Sequence, residues 1–172
     1  MTNGSPSDDS SSAGLVLQVR GTPHAQPRPR FVRRGRGPVR VVSTASKGAQ
    51  LWRDAVERAA LEAVRNVGGP EAVRAMFPGA VQIRLLFTFQ GAPEGAPHTG
   101  KPDTDNLTKL VLDALVRAGA IGGDDCRAAT VDARKMVGGS AGCSIEVRPL
   151  SGLPSPFKWH VDKPDWLGQS VL

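Results

Sequence analysis

The sequence predicts an α/β fold of the mixed, α+β kind: a small mixed sheet of about four strands with helices packed on it. Three observations lead there. Two stretches repeat their apolar residues at i, i+3, i+4 and i+7, the mark of a helix burying one face. Four others alternate apolar and polar residues, as half-buried strands do. The two kinds interleave in the order β-α-(α)-β-α-β-β, and 172 residues suit one domain with room for a core.

Residues 1–13 are polar and small, so a disordered leader is expected before a domain spanning residues 14–150. Leu15, Leu17 and Val19 alternate with Val16, Gln18 and Arg20 to form a first strand, ended by Gly21. The prolines and glycines of residues 21–40 exclude helix and predict an extended, mobile loop. A helix then runs from about Lys47 to Asn66, burying Trp52, Ala55, Val56, Ala59, Ala60, Ala63, Val64 and Val67, with Gly68-Gly69 to stop it. The run from Pro70 adds a turn or two, its proline tolerated at the first helical position.

The clearest strand carries Val81, Ile83, Leu85, Phe87 and Phe89 on one face. A connector, GAPEGAPHTGKP, leads from it to a second helix whose buried face is Leu107, Leu110, Val111, Ala114, Leu115 and Ala118. Asp105 or Asn106 is expected to cap that helix, and Gly119 to follow its end. Residues 127–137 read as a strand with Val131, Ala133, Lys135 and Val137 in one row. GGSAG then turns the chain so that residues 143–150 pair back as a hairpin. Residues 151–172 lack periodicity and read as an irregular tail that packs Trp159 and Trp166 onto the domain.

Composition narrows the function. No run is long and apolar enough to span a bilayer, so no membrane association is expected. The first residues show no secretory signal pattern. Two cysteines, Cys126 and Cys143, make no disulfide framework, and the expected setting is a reducing cytoplasm. Scattered His24, His98 and His160 without a Cys-x-x-Cys argue against zinc. The net charge of +6 is uneven: no acid lies between Ser10 and Arg53, while Arg28, Arg30, Arg33, Arg34 and Arg36 crowd one loop. Such a segment suits a polyphosphate partner, since each neutralised phosphate releases counterions and arginine grips phosphate in two-pronged fashion. It also suits a plain solvated loop.

Chemistry concentrates at residues 101–125. Asp103 and Asp105 lie one residue apart at the mouth of the second helix, and Lys109 follows one turn later. Beyond Gly122-Gly123 stand Asp124 and Asp125. Few carboxylates with water completing the shell suit Mg²⁺, with Mn²⁺ as a substitute. Such an ion activates water and neutralises a scissile phosphate, and a neighbouring lysine stabilises charge there. Each residue also has a structural reading: Asp105 as a cap, Asp124-Asp125 as a turn, Lys109 as a solvated side chain.

Taken together, KPDTDNLTKLVLDALVRAGAIGGDD resembles the signature of the RusA family of Holliday junction resolvases, D-x-D-N-x-x-K-x-x-x-D-A-L followed by a short link and an acidic pair. GTPHAQPRPRF resembles the family's N-terminal segment, and the likeness runs from about residue 15 to 149. The resemblance implies a small α/β endonuclease, homodimeric and Mg²⁺-dependent, that cuts paired strands of four-way junction DNA. It implies that Asp103, Asp105 and Asp125 are catalytic acids and metal ligands, with Asp124 as the substitute for Asp125, and that Lys109 is the catalytic lysine. Asn106 and Asp113 match supporting positions. Two departures stand out: Arg127, followed by Ala128, stands where the family usually has Gln and an aliphatic residue, and the link before the acidic pair is one residue longer. The competing expectations are a non-catalytic basic DNA-binding recombination accessory protein and, more remotely, an Asp-x-Asp phosphatase or glycosyltransferase. In the last two the motif directly follows a hydrophobic strand, whereas here GAPHTGKP intervenes.

Overall fold

The computed structural model describes residues 14–27, 30–32, 35, 40–42 and 46–150. The expected leader and tail therefore lie outside the described residues. Strand β1 (Leu15–Arg20) alternates buried and exposed residues along its length, as the sequence predicts. The loop after it holds two short strands that the sequence reading missed, β2 (Arg30–Val32) and β3 (Arg40–Val42), paired antiparallel as a small ribbon.

Helix α1 (Lys47–Asn66) has the predicted bounds. Ser46 caps it by accepting from the Ala49 N–H, and its apolar stripe is buried at Ala49, Trp52, Val56, Ala60 and Val64. It ends where Gly68 takes a positive φ of 105°, with Gly69 N–H donating back to the Val64 carbonyl. Helix α2 (Pro70–Met76) follows with proline in its first turn. Strand β4 (Val81–Gln90) sends Val81, Ile83, Leu85, Phe87 and Phe89 into the core.

Helix α3 (Thr104–Arg117) buries Leu107, Leu110, Val111, Ala114 and Leu115, the predicted face. It starts earlier than expected: Asp103 holds the capping position, and its side chain makes no capping hydrogen bond. Gly119 lies just past the end at φ 71°, and the Gly119 and Ala120 amides donate to the Val116 and Leu115 carbonyls. Glycine takes that left-handed conformation without the Cβ penalty. A 3-10 turn, Asp125–Arg127, then leads into β5 (Ala128–Gly138), and β6 (Gly142–Pro149) closes the domain.

The four long strands form one mixed sheet in the order β1-β6-β4-β5. The predicted class is therefore observed, but the predicted β5–β6 hairpin is not. β6 inserts between β1 and β4, antiparallel to both, while β5 lies beyond β4 and parallel to it. The cause is readable in the side chains. β6 brings Cys143, Ile145 and Val147 to the core, which suits an interior strand. β5 carries Asp132, Arg134 and Lys135, which suits an edge. α3 acts as the crossover that returns the chain to the start of a parallel neighbour. α1 packs on α3 and β1, and the shared core includes Phe77, Phe87 and Ile121, all fully buried. Among the described residues no helix is long and apolar enough to cross a membrane.

Candidate active site

α3 presents its polar side away from that core, and three of the predicted residues meet there. The Lys109 ammonium lies 2.7 Å from Asp125 Oδ2 and 3.0 Å from Asp113 Oδ1. Asp113 is one turn further along the same helix, whereas Asp125 arrives from the 3-10 turn, sixteen residues away in sequence. Hydrogen bonding to Asp125 first, and then to Asp113, pushes the Lys109 pKa up to about 12. The same contact holds the Asp125 carboxyl below its ordinary range. Lys109 is 52% and Asp125 35% exposed, so water screens the pairing and it adds little to stability. A cleft of about 440 Å³ opens at this cluster, lined also by Val116, Arg117 and Asp124.

The two members of the acidic doublet have different partners. Asp124 Oδ1 accepts from the Asp125 N–H at 2.7 Å and so caps its own turn, which leaves Asp125 as the carboxylate turned toward Lys109. Arg127, the first departure from the family pattern, anchors this turn. Its guanidinium donates to the carbonyls of Gly122 (2.7 Å), Gly79 (2.8 and 3.1 Å) and Phe77. The second departure belongs to the same device. A Cβ on Gly123 would come within 2.8 Å of Arg127 Cδ, and Gly122 has a φ of 69° with Arg127 Nη1 3.0 Å from where its Cβ would be. The longer glycine link makes room for the arginine.

Asp103 and Asp105 occupy the start of α3, both exposed. Lys109 lies six positions after Asp103, about 9 Å along a helix axis at 1.5 Å per residue. The sequence reading expects Asp103, Asp105 and Asp125 (or Asp124) to enclose one ion. Among the described residues, no three acids, histidines or cysteines stand close enough together to hold a metal ion. Asp125 is instead engaged with Lys109, while Asp124 serves its own turn.

The basic loop joins the site through main chain. Gln26 N–H donates to the carbonyl of Asn106, in the first turn of α3, at 3.1 Å. The chain thus enters its arginine run beside the two leading acids. Arg30 opens β2, with its backbone opposite Val42. Arg28, Arg33, Arg34 and Arg36 lie outside the described residues.

Sequence reasoning noted Lys135 only as a member of a strand row. In the structure its Nζ donates to the carbonyls of Gly100 (2.7 Å) and Pro102 (2.9 Å), directly before Asp103. The available signal was a lysine in a row otherwise made of Val131, Ala133 and Val137, where an apolar residue belongs.

A search of curated proteins finds no match. The family model described as "Endodeoxyribonuclease RusA" matches residues 20–148, a span that holds all of the helices and strands β2 to β5, and with them the Lys109 cluster, both acidic segments and the arginine run. The chain belongs to the RusA endodeoxyribonuclease family.

Proposed function

We propose that this protein is a Mg²⁺-dependent, structure-selective endodeoxyribonuclease that resolves Holliday junctions by paired phosphodiester cleavage in DNA recombination and repair. The observation that carries the reading is the tie between Gln26 and Asn106, because it brings the chain just ahead of the arginine run onto the helix that opens with Asp103 and Asp105. Phosphate-gripping cations beside clustered acids are what a nuclease needs at a polyanionic backbone. Family membership supports the same chemistry.

Roles follow for the chain's own residues. With its pKa pushed to about 12, Lys109 is an ammonium at neutral pH and does not accept a proton. Its part is to place positive charge against the phosphate as negative charge builds there, oriented by Asp113 and Asp125. Asp103 and Asp105 supply the oxygen donors that a hard cation takes. Among the described residues the acids do not form a closed three-carboxylate cage, so water would complete much of the shell of an ion held by Asp103 and Asp105. The arginines of residues 28–36 hold the flanking backbone. A four-way junction has two cleavable strands related by a two-fold axis, so a homodimer with one site per subunit matches the substrate.

The test is purified protein with a synthetic immobile four-way junction and Mg²⁺, beside linear duplex of the same sequence. Symmetrically nicked duplex products from the junction, with the linear duplex left intact, support the reading. Junction binding without any product favours a non-catalytic DNA-binding protein instead.

A further inference from the structure

We infer that Lys135, on the edge strand of the sheet, is a positioning residue for the first acidic arm of the site, acting through the backbone that delivers Asp103 and Asp105. The inference rests on the nuclease reading above and adds a residue to it. It begins with a gap in how α3 starts. An aspartate at a capping position ordinarily fixes itself by accepting from the helix's own unpaired N–H groups. Asp103 has extended backbone at φ −70° and ψ 144°, yet makes no such bond. The helix's own N–H groups therefore do not hold it, and the support offered by the chain before it matters more.

That chain is stitched to β5. Ala96 and Lys135 carbonyls accept from the Val137 and His98 amides at 2.8 and 3.0 Å, and Pro97 bridges to Met136. The His98 ring stacks on Phe89 with centroids 4.1 Å apart. These contacts end at residue 98. Across the remaining Thr99–Pro102, the side chain of Lys135 makes the connection, donating to the Gly100 and Pro102 carbonyls.

Register explains why a lysine stands there. Lys135 pairs with Phe87, whose side chain enters the core, so it leaves the sheet on the face that carries the helices. From an edge strand, on that face, a long cationic side chain spans to the start of α3. A hydrophobic residue at the same place would leave the partly buried Pro102 carbonyl, next to Asp103, without its donor and the exposed Gly100 carbonyl to water. Hydrogen bonds to a charged group are about twice as strong as neutral ones, and here one ammonium ties two carbonyls of the turn to a single point. The ammonium therefore fixes where the turn sits as well as holding it. Misplacing a reacting group by about 1 Å can cost roughly 100-fold in rate, which sets the scale of the effect.

The experiment compares wild type, Lys135→Met and Lys135→Arg for junction cleavage in Mg²⁺, reading kcat and KM separately, together with amide hydrogen exchange of residues 104–106 in the DNA-free proteins. We expect Lys135→Met to lose roughly 10- to 100-fold in kcat with KM for the junction within about twofold, and to exchange faster at residues 104–106. Lys135→Arg, which keeps charge and donors, is expected to recover most of the loss. Should Lys135→Met fail to fold, Lys135→Gln replaces it, with a kcat loss of at least about tenfold expected. Unchanged kcat in the neutral variant overturns the inference while leaving the nuclease reading intact. So does a loss confined to KM, which would make Lys135 a DNA contact. A wild type that cuts no junction overturns both.

Discussion

Arg127→Ala removes a guanidinium that donates four hydrogen bonds to three main-chain carbonyls, one from Nε, one from Nη1 and two from Nη2. The carbonyls belong to two links that are distant in sequence: Phe77 and Gly79 between α2 and β4, and Gly122 between α3 and the 3-10 turn. The two bonds to Gly79 are exposed, and water replaces them at small cost. Those to Gly122 and Phe77 are partly buried. At about 1.5–3 kcal/mol for a hydrogen bond to a charged group, and allowing for rehydration of the freed carbonyls, the expected loss is about 3 kcal/mol. For a domain of this size each kcal/mol moves Tm by roughly 2–4 °C, so the midpoint should fall by roughly 6–12 °C.

Urea unfolding with an unchanged slope is the assay for stability. A second measurement isolates the geometry. In wild type, Gly123→Ala drives a methyl toward Arg127 Cδ, whereas in the Arg127→Ala background that collision is gone. The alanine should therefore cost less in the double variant, by about 1 kcal/mol of coupling. A loss below about 1 kcal/mol for Arg127→Ala, or strict additivity with Gly123→Ala, would refute the idea that arginine and glycine link form one device.

Two further outcomes follow from the Lys109 cluster. Lys109 has a raised pKa, so its contribution is fully present below 10.5 and is lost as pH climbs through about 12. Asp125 has a lowered one, so its contribution is present above 3.8 and is lost as pH falls through its depressed value. Between those limits the pair is constant, and the ratio of wild-type to Lys109→Met kcat should stay flat from roughly pH 5 to 10. A limb near neutrality that disappears in Lys109→Met would contradict this. Asp113→Asn leaves the ammonium oriented by Asp125 alone, and kcat should fall by roughly 3- to 10-fold at unchanged junction affinity, checked by single-turnover cleavage and gel-shift titration. A loss of 100-fold or more would place Asp113 among the reacting groups instead.

What the sequence conveyed was mostly periodicity. The bounds of α1, the inward row of β4 and the buried face of α3 were legible because each stretch has one uninterrupted repeat and a glycine or polar stop. Strand order was not, because GGSAG between two alternating stretches looks like a hairpin turn whichever strands it joins. The difference lay in which row was apolar enough for the sheet interior, Cys143-Ile145-Val147 or a row broken by Lys135. The ribbon of β2 and β3 has only three residues per strand, too few for alternation to register. At the site, the meeting of Lys109 with Asp113 follows from helix spacing, whereas its meeting with Asp125 was not foreseen, since the motif offered Asp125 as a metal ligand alongside Asp103 and Asp105. Arg127 and Lys135 work by donating to carbonyls, which every residue has, so nothing in the sequence names their partners.

The most direct measurement is single-turnover cleavage of an immobile four-way junction by wild type and by Asp103→Asn, with junction affinity measured on the same preparations. We expect wild type to release paired nicked duplexes in Mg²⁺, and Asp103→Asn to bind the junction as tightly while cutting at least roughly 100-fold more slowly. Cleavage by Asp103→Asn at the wild-type rate would contradict the assignment of the α3 acids to the reaction.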